Sequence, residues 1–321
     1  MNLEQVATRL KGRLAGRSAA HFSLARLTTY RLGGDAELYV EPAAVTDLEV
    51  LGKVLRDAGF GAGTVPVTVL GRGSNLVVSD EGVGGVVIRL GPRLAWTREN
   101  GSRGARAGAA TPLPQLANHA LRRGLSGAEF LVAIPGSVGG GVRMNAGAHG
   151  ADVASILSAA LIFDLSTLAI EERSADQLGF AYRRSGLSAS DVVVEASFEL
   201  EDATDSFIRE RMETYRQHRS QTQPGAAQNA GSVFKNPPGD SAGRLVEACG
   251  LKGLRVGGAS VSELHANFFM ANEGASSQDV YDLVHAVAER VRAASGVELE
   301  TEVRFVGHFL PSTRASAPEH A

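Results

Sequence analysis

IPGSVGGGVRMNAGAHG, the stretch from Ile134 to Gly150, is the part of the sequence that decides the fold. It contains six glycines and few side chains that could build a core. Glycine is favoured where the backbone turns with a positive φ or comes close to a ligand. Consecutive backbone N–H groups in such turns form concavities that bind anions. A flexible connector is the alternative, but the stretch has few polar spacers and follows the apolar run FLVAI (130–134). We therefore predict an ordered phosphate-binding loop.

A second glycine loop, GRGSN (71–75), follows a short strand predicted at PVTVL (66–70). A dinucleotide fingerprint needs G-x-G-x-x-G at the start of a helix. GRGSN lacks the third glycine and opens a strand, which excludes a Rossmann site. Taken alone, the loop is either an ordinary tight turn or a second phosphate-binding loop. We interpret the two glycine loops as facing one phosphate-bearing cofactor.

Size and composition are those of a globular protein. The chain has 321 residues, 44% of them hydrophobic, and a net charge of −3. This length allows two or three domains, and the charge is too small for a protein that coats nucleic acid. The single cysteine, Cys249, excludes an internal disulfide and suits a reducing compartment. We interpret it as a small buried side chain rather than a reactive thiol. Because residues 1–13 lack the apolar core of a signal peptide and no apolar run reaches ~18 residues, we expect a cytoplasmic protein without a membrane partner.

Hydrophobic periodicity predicts both helices and strands along the chain. We expect helices at 45–58, 111–123, 205–219, 242–249 and 277–294, and another within 1–27. We expect strands around 36–40, 66–70, 76–80, 86–90 and 300–306, and three more at ILSAALIFDL (156–165), FAYRRSGL (180–187) and DVVVEASFEL (191–200). The polar segment SQTQPGAAQNAG (220–231) is the best candidate for a domain boundary.

The residues that could carry chemistry fit neither a metal site nor a common hydrolase. The eight histidines are scattered, and neither an HxxxH nor a CxxC motif is present, so we expect no metal. No G-x-S-x-G elbow is present either. Isolated polar residues remain in short motifs: Arg183, Ser232, Lys235, Asn236 and Glu302. Cations near a serine and a carboxylate suit an anionic substrate whose reaction needs a proton donor. Taken singly, each could also be an ordinary solvated charge.

Together these motifs resemble one family, the UDP-N-acetylenolpyruvoylglucosamine reductases (MurB) of bacterial cell-wall synthesis. The resemblance covers residues 25–308 and rests on motifs in the family's order: TTYRLGG, LGRGSNLVVSDEG, GLSGAEF, IPGSVGGGVRMNAGAHG, YRRS, AGSVFKNP, AGRLVEACGLKG, HANFFMAN and LETEVRFVG. It implies an α+β fold, with a two-subdomain FAD-binding module of the vanillyl-alcohol-oxidase (PCMH) type and a C-terminal α+β substrate-binding domain. The expected bounds are 1–70 for FAD subdomain 1 (with 304–310 returning to it), 71–203 for FAD subdomain 2, 204–303 for the substrate domain and 311–321 for a disordered tail.

The resemblance also implies a reaction. NADPH reduces a non-covalently bound FAD, and the flavin N5 then passes hydride to C3 of UDP-N-acetylglucosamine enolpyruvate. A proton delivered to C2 completes UDP-N-acetylmuramate, a peptidoglycan precursor. By motif, Arg183 and Glu302 are expected to stabilise the enolate-like species and Ser232 to donate the proton.

Further site residues are carried over from the same motifs. The FAD-binding residues are expected to be Tyr30, Arg31, Gly71, Arg72, Gly73, Ser74, Asn75, Leu76, Pro135, Gly136, Ser137, Gly139, Gly140, Asn145, Ala146 and Gly147. The substrate-binding residues are expected to be Tyr182, Arg219, Lys235, Asn236 and His149. His149 stands where many members of the family carry tyrosine. The short segment between YRRS and GSVFKN resembles the second, loop-less type of the family, and we expect a monomer that binds no nucleic acid.

Two other functions are held as alternatives. An FAD-dependent sugar or alcohol oxidase of the same fold would turn over with oxygen, and many such oxidases tether the flavin through a histidine or cysteine. His149 is the only candidate for a tether in the glycine stretches. A flavin-binding protein without catalysis would not need the set formed by Arg183, Ser232 and Glu302.

Overall fold

The structure is a computed structural model that describes residues 2–60, 63–225 and 228–312. The chain divides into two compact units, and each unit is drawn from three segments. The larger unit comprises residues 1–22, 36–72 and 84–219, and the smaller unit comprises residues 23–35, 73–83 and 220–321. The bounds predicted above for FAD subdomains and a substrate domain stay a prediction.

The described residues contain both helices and strands, as the hydrophobic pattern predicts. In chain order the helices are α1 (Leu3–Leu10), α2 (Val45–Asp57), α3 (Leu113–Arg122), α4 (Val138–Met144), α5 (Asp205–Thr222), α6 (Ala242–Ala248) and α7 (Ser277–Ser295). The strands are β1 (Arg17–Ser23), β2 (Asp35–Glu41), β3 (Val67–Val69), β4 (Leu76–Val78), β5 (Val83–Ile88), β6 (Thr97–Glu99), β7 (Gly104–Gly108), β8 (Leu125–Ser126), β9 (Gly147–Ala148), β10 (Ala151–Asp152), β11 (Leu157–Asp164), β12 (Ala169–Ser174), β13 (Asp191–Glu199), β14 (Glu201–Asp202), β15 (Arg255–Val256), β16 (Ala259–Val261), β17 (Phe269–Ala271) and β18 (Arg304–Val306).

The larger unit is organised around a four-stranded and a five-stranded sheet. The first has the order β1-β2-β5-β3, and β3 runs parallel to β5. The second has the order β12-β11-β13-β7-β6, and every neighbouring pair is antiparallel. Ile162 of β11 packs with Val138 and Val142 of α4 in one buried cluster. The adjacent Phe163 packs with Leu38 of the four-stranded sheet in another. The successive residues Ile162 and Phe163 therefore lie on opposite faces of β11, as the two-residue period of a strand requires.

The glycine stretch contains a helix, so its interpretation as a loop throughout is wrong. Helix α4 includes Gly139, Gly140 and Gly141. A Cβ at Gly139 would lie 3.0 Å from the Cβ of Ala109, and one at Gly141 would lie 3.2 Å from Leu113 Cδ2. Two of these glycines therefore allow the helix to approach its neighbours closely.

The strands predicted around Arg183 also differ from those in the structure. FAYRRSGL is not a strand, because its regular pairing is limited to one isolated bridge between Ala181 and Arg184, and Arg183 has a φ of 58°. Left-handed backbone is incompatible with an extended strand. The missed strand is β12, which lies at the edge of the five-stranded sheet and is mostly exposed. A polar edge strand has no apolar signal, so hydrophobic periodicity did not find it. Strand β1 was missed within 1–27 for a similar reason, since its residues are exposed or half-buried.

The smaller unit contains a three-stranded sheet in the order β15-β16-β17 and a parallel pair of β18 with β4. Helix α7 begins with a capping box, in which Ser276 and Asp279 bond each other's main-chain N–H groups. Its predicted apolar stripe is confirmed, because it is buried in one cluster: Val280, Leu283, Val284, Val287 and Val291. Cys249 packs against this cluster and is half-buried, which supports its interpretation as a small apolar side chain.

The predicted disordered tail lies, from residue 313 onward, outside the described residues. Within the ranges that the structure describes, no helix is long and apolar enough to cross a membrane.

Candidate functional site

Both glycine loops line one cavity in the larger unit, with a volume of about 510 Å³. Gly71 and Arg72 come from GRGSN, whereas Ser137, Gly139 and Gly140 come from the glycine stretch. The two loops touch each other, because a Cβ at Gly71 would lie only 2.8 Å from Ser137 Oγ. Glycine at position 71 therefore allows the two walls of the cavity to approach each other closely.

The charge of this cavity is predominantly positive. Four arginines and one glutamate line it: Arg17, Arg72, Arg89, Arg143 and Glu41. Arg17 donates to Glu41 at 2.9 Å and Tyr39 donates at 2.6 Å. Burial acts to raise the pKa of Glu41, but these hydrogen bonds outweigh it and hold the pKa below its ordinary value. Glu41 therefore stays ionised and offsets only part of the positive charge. Such a cavity suits the pyrophosphate of a dinucleotide cofactor.

The start of α4 contributes less to anion binding than the glycine pattern indicates. The N–H of Val138 donates to Thr111 O at 2.8 Å, and the N–H of Gly139 donates to Ala109 O at 2.9 Å. These donors, which would be free in an isolated helix, are used within the protein. The start of α4 therefore offers a phosphate fewer free donors than an isolated helix would. Three of the arginines that line the cavity were not predicted from the sequence: Arg17, Arg89 and Arg143, of which only Arg143 lies inside a motif.

Other predicted FAD-binding residues support the two ends of α4. The carbonyl of Gly136 accepts from the N–H of Leu113 at 3.0 Å, and the half-buried Pro135 precedes Gly136.

Asn145 caps the C-terminus of α4 with left-handed backbone. Its side-chain amide donates to Asp152 at 3.0 Å and to the main chain of Ala181 at 3.2 Å. The side chain of Asn145 thus fixes the loop that leads to the predicted catalytic arginine. Ala146 follows, and its N–H donates to Gly141 O at 2.9 Å.

Gly147 positions Arg183 directly. The guanidinium of Arg183 donates to Gly147 O at 2.8 Å and lies 4.9 Å from the centre of the Tyr182 ring. A Cβ at Gly147 would lie 2.8 Å from Arg183 Nη1 and 2.7 Å from Ala151 O. Glycine is therefore the residue that leaves room for the arginine at this point of the β9–β10 hairpin.

Replacing Gly147 with Ala should displace Arg183 and slow turnover about 10-fold, because small misplacements of reacting groups are costly. Overpacking should also lower the free energy of unfolding by about 1–3 kcal/mol. Steady-state kinetics and thermal unfolding measure the two effects. Gly150→Ala is the control in the same hairpin: it is strained at a φ of 80°, but its Cβ would meet nothing within 4 Å. Equal loss of activity in both variants would contradict the positioning of Arg183 by Gly147.

His149 occupies the tip of that hairpin and packs on α5. Its ring stacks on Tyr215 with the centres 4.1 Å apart, and it meets His218 edge-on at 5.3 Å. His149 has a φ of 53° and Gly150 has a φ of 80°, the left-handed pair of a two-residue hairpin turn. Arg219, in the last turn of α5, donates to the main-chain oxygen of Ala133, and burial lowers its pKa. The structure thus places the predicted substrate residues Tyr182, His149 and Arg219 in the larger unit.

The pKa of His149 lies below its ordinary value, first because of burial and second because of the nearby charge of His218. His218→Gln should raise the pKa of His149, which NMR titration of the imidazole resonances would measure. His149 binds protons more readily in the unfolded protein than in the folded one. The contribution of His149 to the free energy of unfolding should therefore fall as the pH drops below about 6.5. His119→Gln, in α3, should leave the pKa of His149 unchanged. If both variants leave it unchanged, the electrostatic coupling between His149 and His218 is absent.

The smaller unit holds the other predicted FAD-binding loop residues. Gly73 has a φ of 64°, and a Cβ there would lie 2.7 Å from Thr28 Cα. The carbonyl of Gly73 accepts from the N–H of Thr29 at 3.1 Å, so the TTYRLGG and GRGSN motifs are in direct contact. Tyr30 is buried, and its hydroxyl donates to Phe269 O at 3.0 Å. A cofactor contact at Tyr30 would therefore involve its main chain. Arg31 follows with a φ of 61°.

The end of the GRGSN loop bonds the main chain of Glu302. Asn75 Nδ2 donates to Glu302 O at 3.0 Å, and the N–H of Glu302 donates to Val233 O at 2.7 Å. Ser74 precedes Asn75, and Leu76 begins β4, which pairs with β18. Val233 follows Ser232 directly, so the structure brings Ser232 and Glu302 together within the smaller unit. Arg183, the third predicted catalytic residue, belongs to the larger unit.

Ser232 lines a cavity of about 390 Å³ in the smaller unit, together with Asn236 and His265. Asn236 Oδ1 accepts from the N–H of Ala242 at 3.1 Å and so joins the GSVFKN motif to the start of α6. Lys235 Nζ pairs with Glu300 at 2.5 Å. This cavity therefore offers amide and imidazole groups together with the hydroxyl of the predicted proton donor.

Two known protein families match different parts of the chain. Residues 36–164 match the family described as "FAD binding domain". Residues 223–306 match the family described as "UDP-N-acetylenolpyruvoylglucosamine reductase, C-terminal domain". The expected fold class, an FAD-binding module with a C-terminal substrate-binding domain, is confirmed.

Full-length relatives give the same result. The chain is 45% identical to UDP-N-acetylenolpyruvoylglucosamine reductase 2 of Symbiobacterium thermophilum, over 95% of this chain and 98% of the relative. It is 40% identical to UDP-N-acetylenolpyruvoylglucosamine reductase of Bacillus subtilis, over 95% of this chain and 99% of the relative. The crystal structure of the Thermus caldophilus reductase (MurB) superposes with a TM-score of 0.75 at 37% identity, over 92% of this chain and 100% of that one. This chain belongs to the UDP-N-acetylenolpyruvoylglucosamine reductase (MurB) family of FAD-dependent oxidoreductases.

Proposed function

We propose that the protein reduces UDP-N-acetylglucosamine enolpyruvate to UDP-N-acetylmuramate, with NADPH as the reductant. The observation that carries the proposal is the direct main-chain link between the segments of Ser232 and Glu302, in a chain whose family catalyses this reduction. The N–H of Glu302 donates to Val233 O at 2.7 Å, which fixes the two segments side by side. We also propose that the protein is cytoplasmic and monomeric. Size-exclusion chromatography with light scattering would test the oligomeric state.

The cavity of the larger unit would hold part of a non-covalently bound FAD. Gly71, Ser137, Gly139 and Gly140 form walls without bulky side chains, and the arginines supply positive charge. When bound, FAD supplies the hydride from N5 to C3 of the enolpyruvyl group. His149 packs on Tyr215 and His218, which supports a role in packing rather than as a covalent tether.

Ser232 is the proposed donor of the proton that reaches C2. Hydride addition at C3 leaves an enolate-like species, which is basic enough to take a proton from a hydroxyl that is held in place. Arg183 and Glu302 are the proposed stabilisers of that species. The fixed arginine lowers the cost of the developing negative charge because it needs no reorganisation during the reaction.

Substrate binding is proposed to involve Lys235, Asn236 and Arg219, with Tyr182 and His149. Lys235 is largely buried and pairs with Glu300, whose side chain is 73% exposed. A substrate phosphate or carboxylate could replace the carboxylate of Glu300, because the largely buried ammonium of Lys235 would keep an anionic partner and the exposed glutamate would return to water. We therefore propose that Glu300 forms an ion pair with Lys235 in the absence of substrate and that the substrate displaces it.

An anaerobic spectroscopic titration tests this function. The purified protein should show a flavin absorption band that bleaches on addition of NADPH and returns on addition of UDP-N-acetylglucosamine enolpyruvate. A band that returns only when air is admitted would instead favour the oxidase. Absence of a flavin band, even after reconstitution with FAD, would contradict the use of FAD by this chain.

A further inference from the structure

Asn267 is a buried side-chain amide that pairs with the segment carrying Ser232. It is 3% exposed. Its Oδ1 accepts from the N–H of Phe234 at 2.9 Å, and its Nδ2 donates to the carbonyl of Phe234 at 2.8 Å. A carboxamide presents an acceptor and a donor side by side. Asn267 therefore satisfies both main-chain groups of one buried residue, as a neighbouring strand would.

The main chain around Asn267 continues this pairing toward Ser232. The N–H of Val233 donates to Asn267 O at 2.9 Å, and Ser232 forms an isolated bridge with Phe268. Three hydrogen bonds thus join Asn267 to the two residues that follow Ser232. The segment is not part of a regular strand, so these bonds replace a continuous ladder.

The opposite edge of the same segment is bonded to the residues around Glu302. Val233 O accepts from the N–H of Glu302, and Phe234 forms an isolated bridge with Thr301. Residues 232–234 are therefore held between 267–268 on one side and 301–302 on the other. The position of Ser232 relative to Glu302 depends on both sets of bonds.

A proton donor must stay within hydrogen-bond reach of the carbon it protonates, and a displacement of about 1 Å can cost on the order of 10²-fold in rate. Without the amide of Asn267, the N–H and carbonyl of Phe234 would lose their buried partners, and the segment would relax to find others. We propose that Asn267 is a positioning residue that holds Ser232 in place for proton transfer. The inference rests on the proposed function, in which Ser232 is the proton donor.

The test measures the two half-reactions of the FAD-loaded, full-length protein separately by anaerobic stopped flow. Asn267→Ala should leave reduction by NADPH within about twofold of wild type. It should slow reoxidation by saturating UDP-N-acetylglucosamine enolpyruvate on the order of 10- to 100-fold. The solvent deuterium isotope effect on reoxidation should increase, because proton delivery becomes limiting, while the substrate KM stays within about threefold. Unchanged reoxidation, or an effect confined to KM, would overturn the proposal.

Asn272→Ala is the matched control. Asn272 Nδ2 donates to Gly258 O at 2.8 Å and to Ser260 Oγ at 3.0 Å in the same unit, and neither partner is one of the residues described above as bonded to 232–234. Its loss should leave the isotope effect unchanged. A similar slowing and isotope effect in Asn272→Ala would show a general effect of destabilising the unit and would overturn the proposal.

A double variant separates positioning from other roles. If Asn267 acts through Ser232, adding Asn267→Ala to Ser232→Ala should slow reoxidation no further, whereas multiplicative slowing would contradict positioning. Should Asn267→Ala not fold, Asn267→Asp keeps an acceptor for Phe234 and should show the same increase in isotope effect. Wild-type protein that the enolpyruvyl substrate fails to reoxidise would refute the proposed function itself. Wild-type reoxidation with no effect of Asn267 would refute only the positioning role.

Discussion

Replacing Ser232 with Ala should slow reoxidation of the reduced protein by the enolpyruvyl substrate on the order of 10²- to 10⁴-fold, the usual contribution of a positioned proton donor. Reduction by NADPH should stay within about twofold of wild type, because hydride transfer to the flavin needs no proton from this residue. Ser232 lines the cavity of the smaller unit, and the adjacent Val233 is bonded to both Asn267 and Glu302. Single-turnover measurement of each half-reaction separates the two effects.

Ser260→Ala is the matched control for Ser232→Ala. Ser260 lies on β16 of the same unit, is 8% exposed and accepts from Asn272. Removing its hydroxyl should leave both half-reactions near normal. Ser232→Cys should retain more activity than Ser232→Ala, since a thiol keeps a transferable proton. Equal loss of both half-reactions in Ser232→Ala would instead indicate damage to flavin binding.

Helices with an apolar stripe were predictable from the sequence, as α2 and α7 illustrate. Their apolar residues recur at helical spacing, and both helices end within a residue or two of the predicted bounds. Strand β12 was missed because it is exposed and polar, so periodicity could not distinguish it from a turn. Helix α4 was mistaken for a loop because glycine disfavours helix formation. Contacts with Ala109 and Leu113, remote in sequence, stabilise the helix there.

The site was predictable only as far as its motifs reached. Ser232 and Glu302 lie in recognisable motifs, but the bond between the Glu302 N–H and Val233 joins residues far apart in sequence. Tyr30 is expected at the cofactor from its motif, and the sequence did not reveal that its ring is buried in the core of the smaller unit, which leaves its main chain for such a contact. Asn267 lies in the HANFFMAN motif, but its residue type does not reveal its role, because the sequence does not distinguish an asparagine that bonds main chain from one on the surface. Three-dimensional pairing alone distinguishes these cases.

Replacing Arg183 with Ala should lower the rate of substrate reduction on the order of 10²- to 10³-fold, as for the loss of a fixed group that stabilises developing negative charge. Gly147 O orients the guanidinium at 2.8 Å, and the Tyr182 ring lies beside it. A transition state that gains negative charge benefits most from a cation already in place, so kcat should fall more than KM rises. Reduction by NADPH should be affected far less.

Arg183→Lys distinguishes the geometry of this group from its charge. A lysine ammonium is a compact point charge without the planar fork of a guanidinium, so we do not expect it both to bond Gly147 O and to reach the substrate, as the proposed role of Arg183 requires. We expect Arg183→Lys to recover less than a tenth of the lost rate. The adjacent Arg184 is exposed and supplies the matched control, because Arg184→Ala removes the same charge from the same motif. If Arg184→Ala slowed substrate reduction as much as Arg183→Ala, net charge near the site would explain the effect. If only Arg183→Ala did so, and lysine failed to rescue it, the oriented guanidinium would be the group that stabilises the enolate.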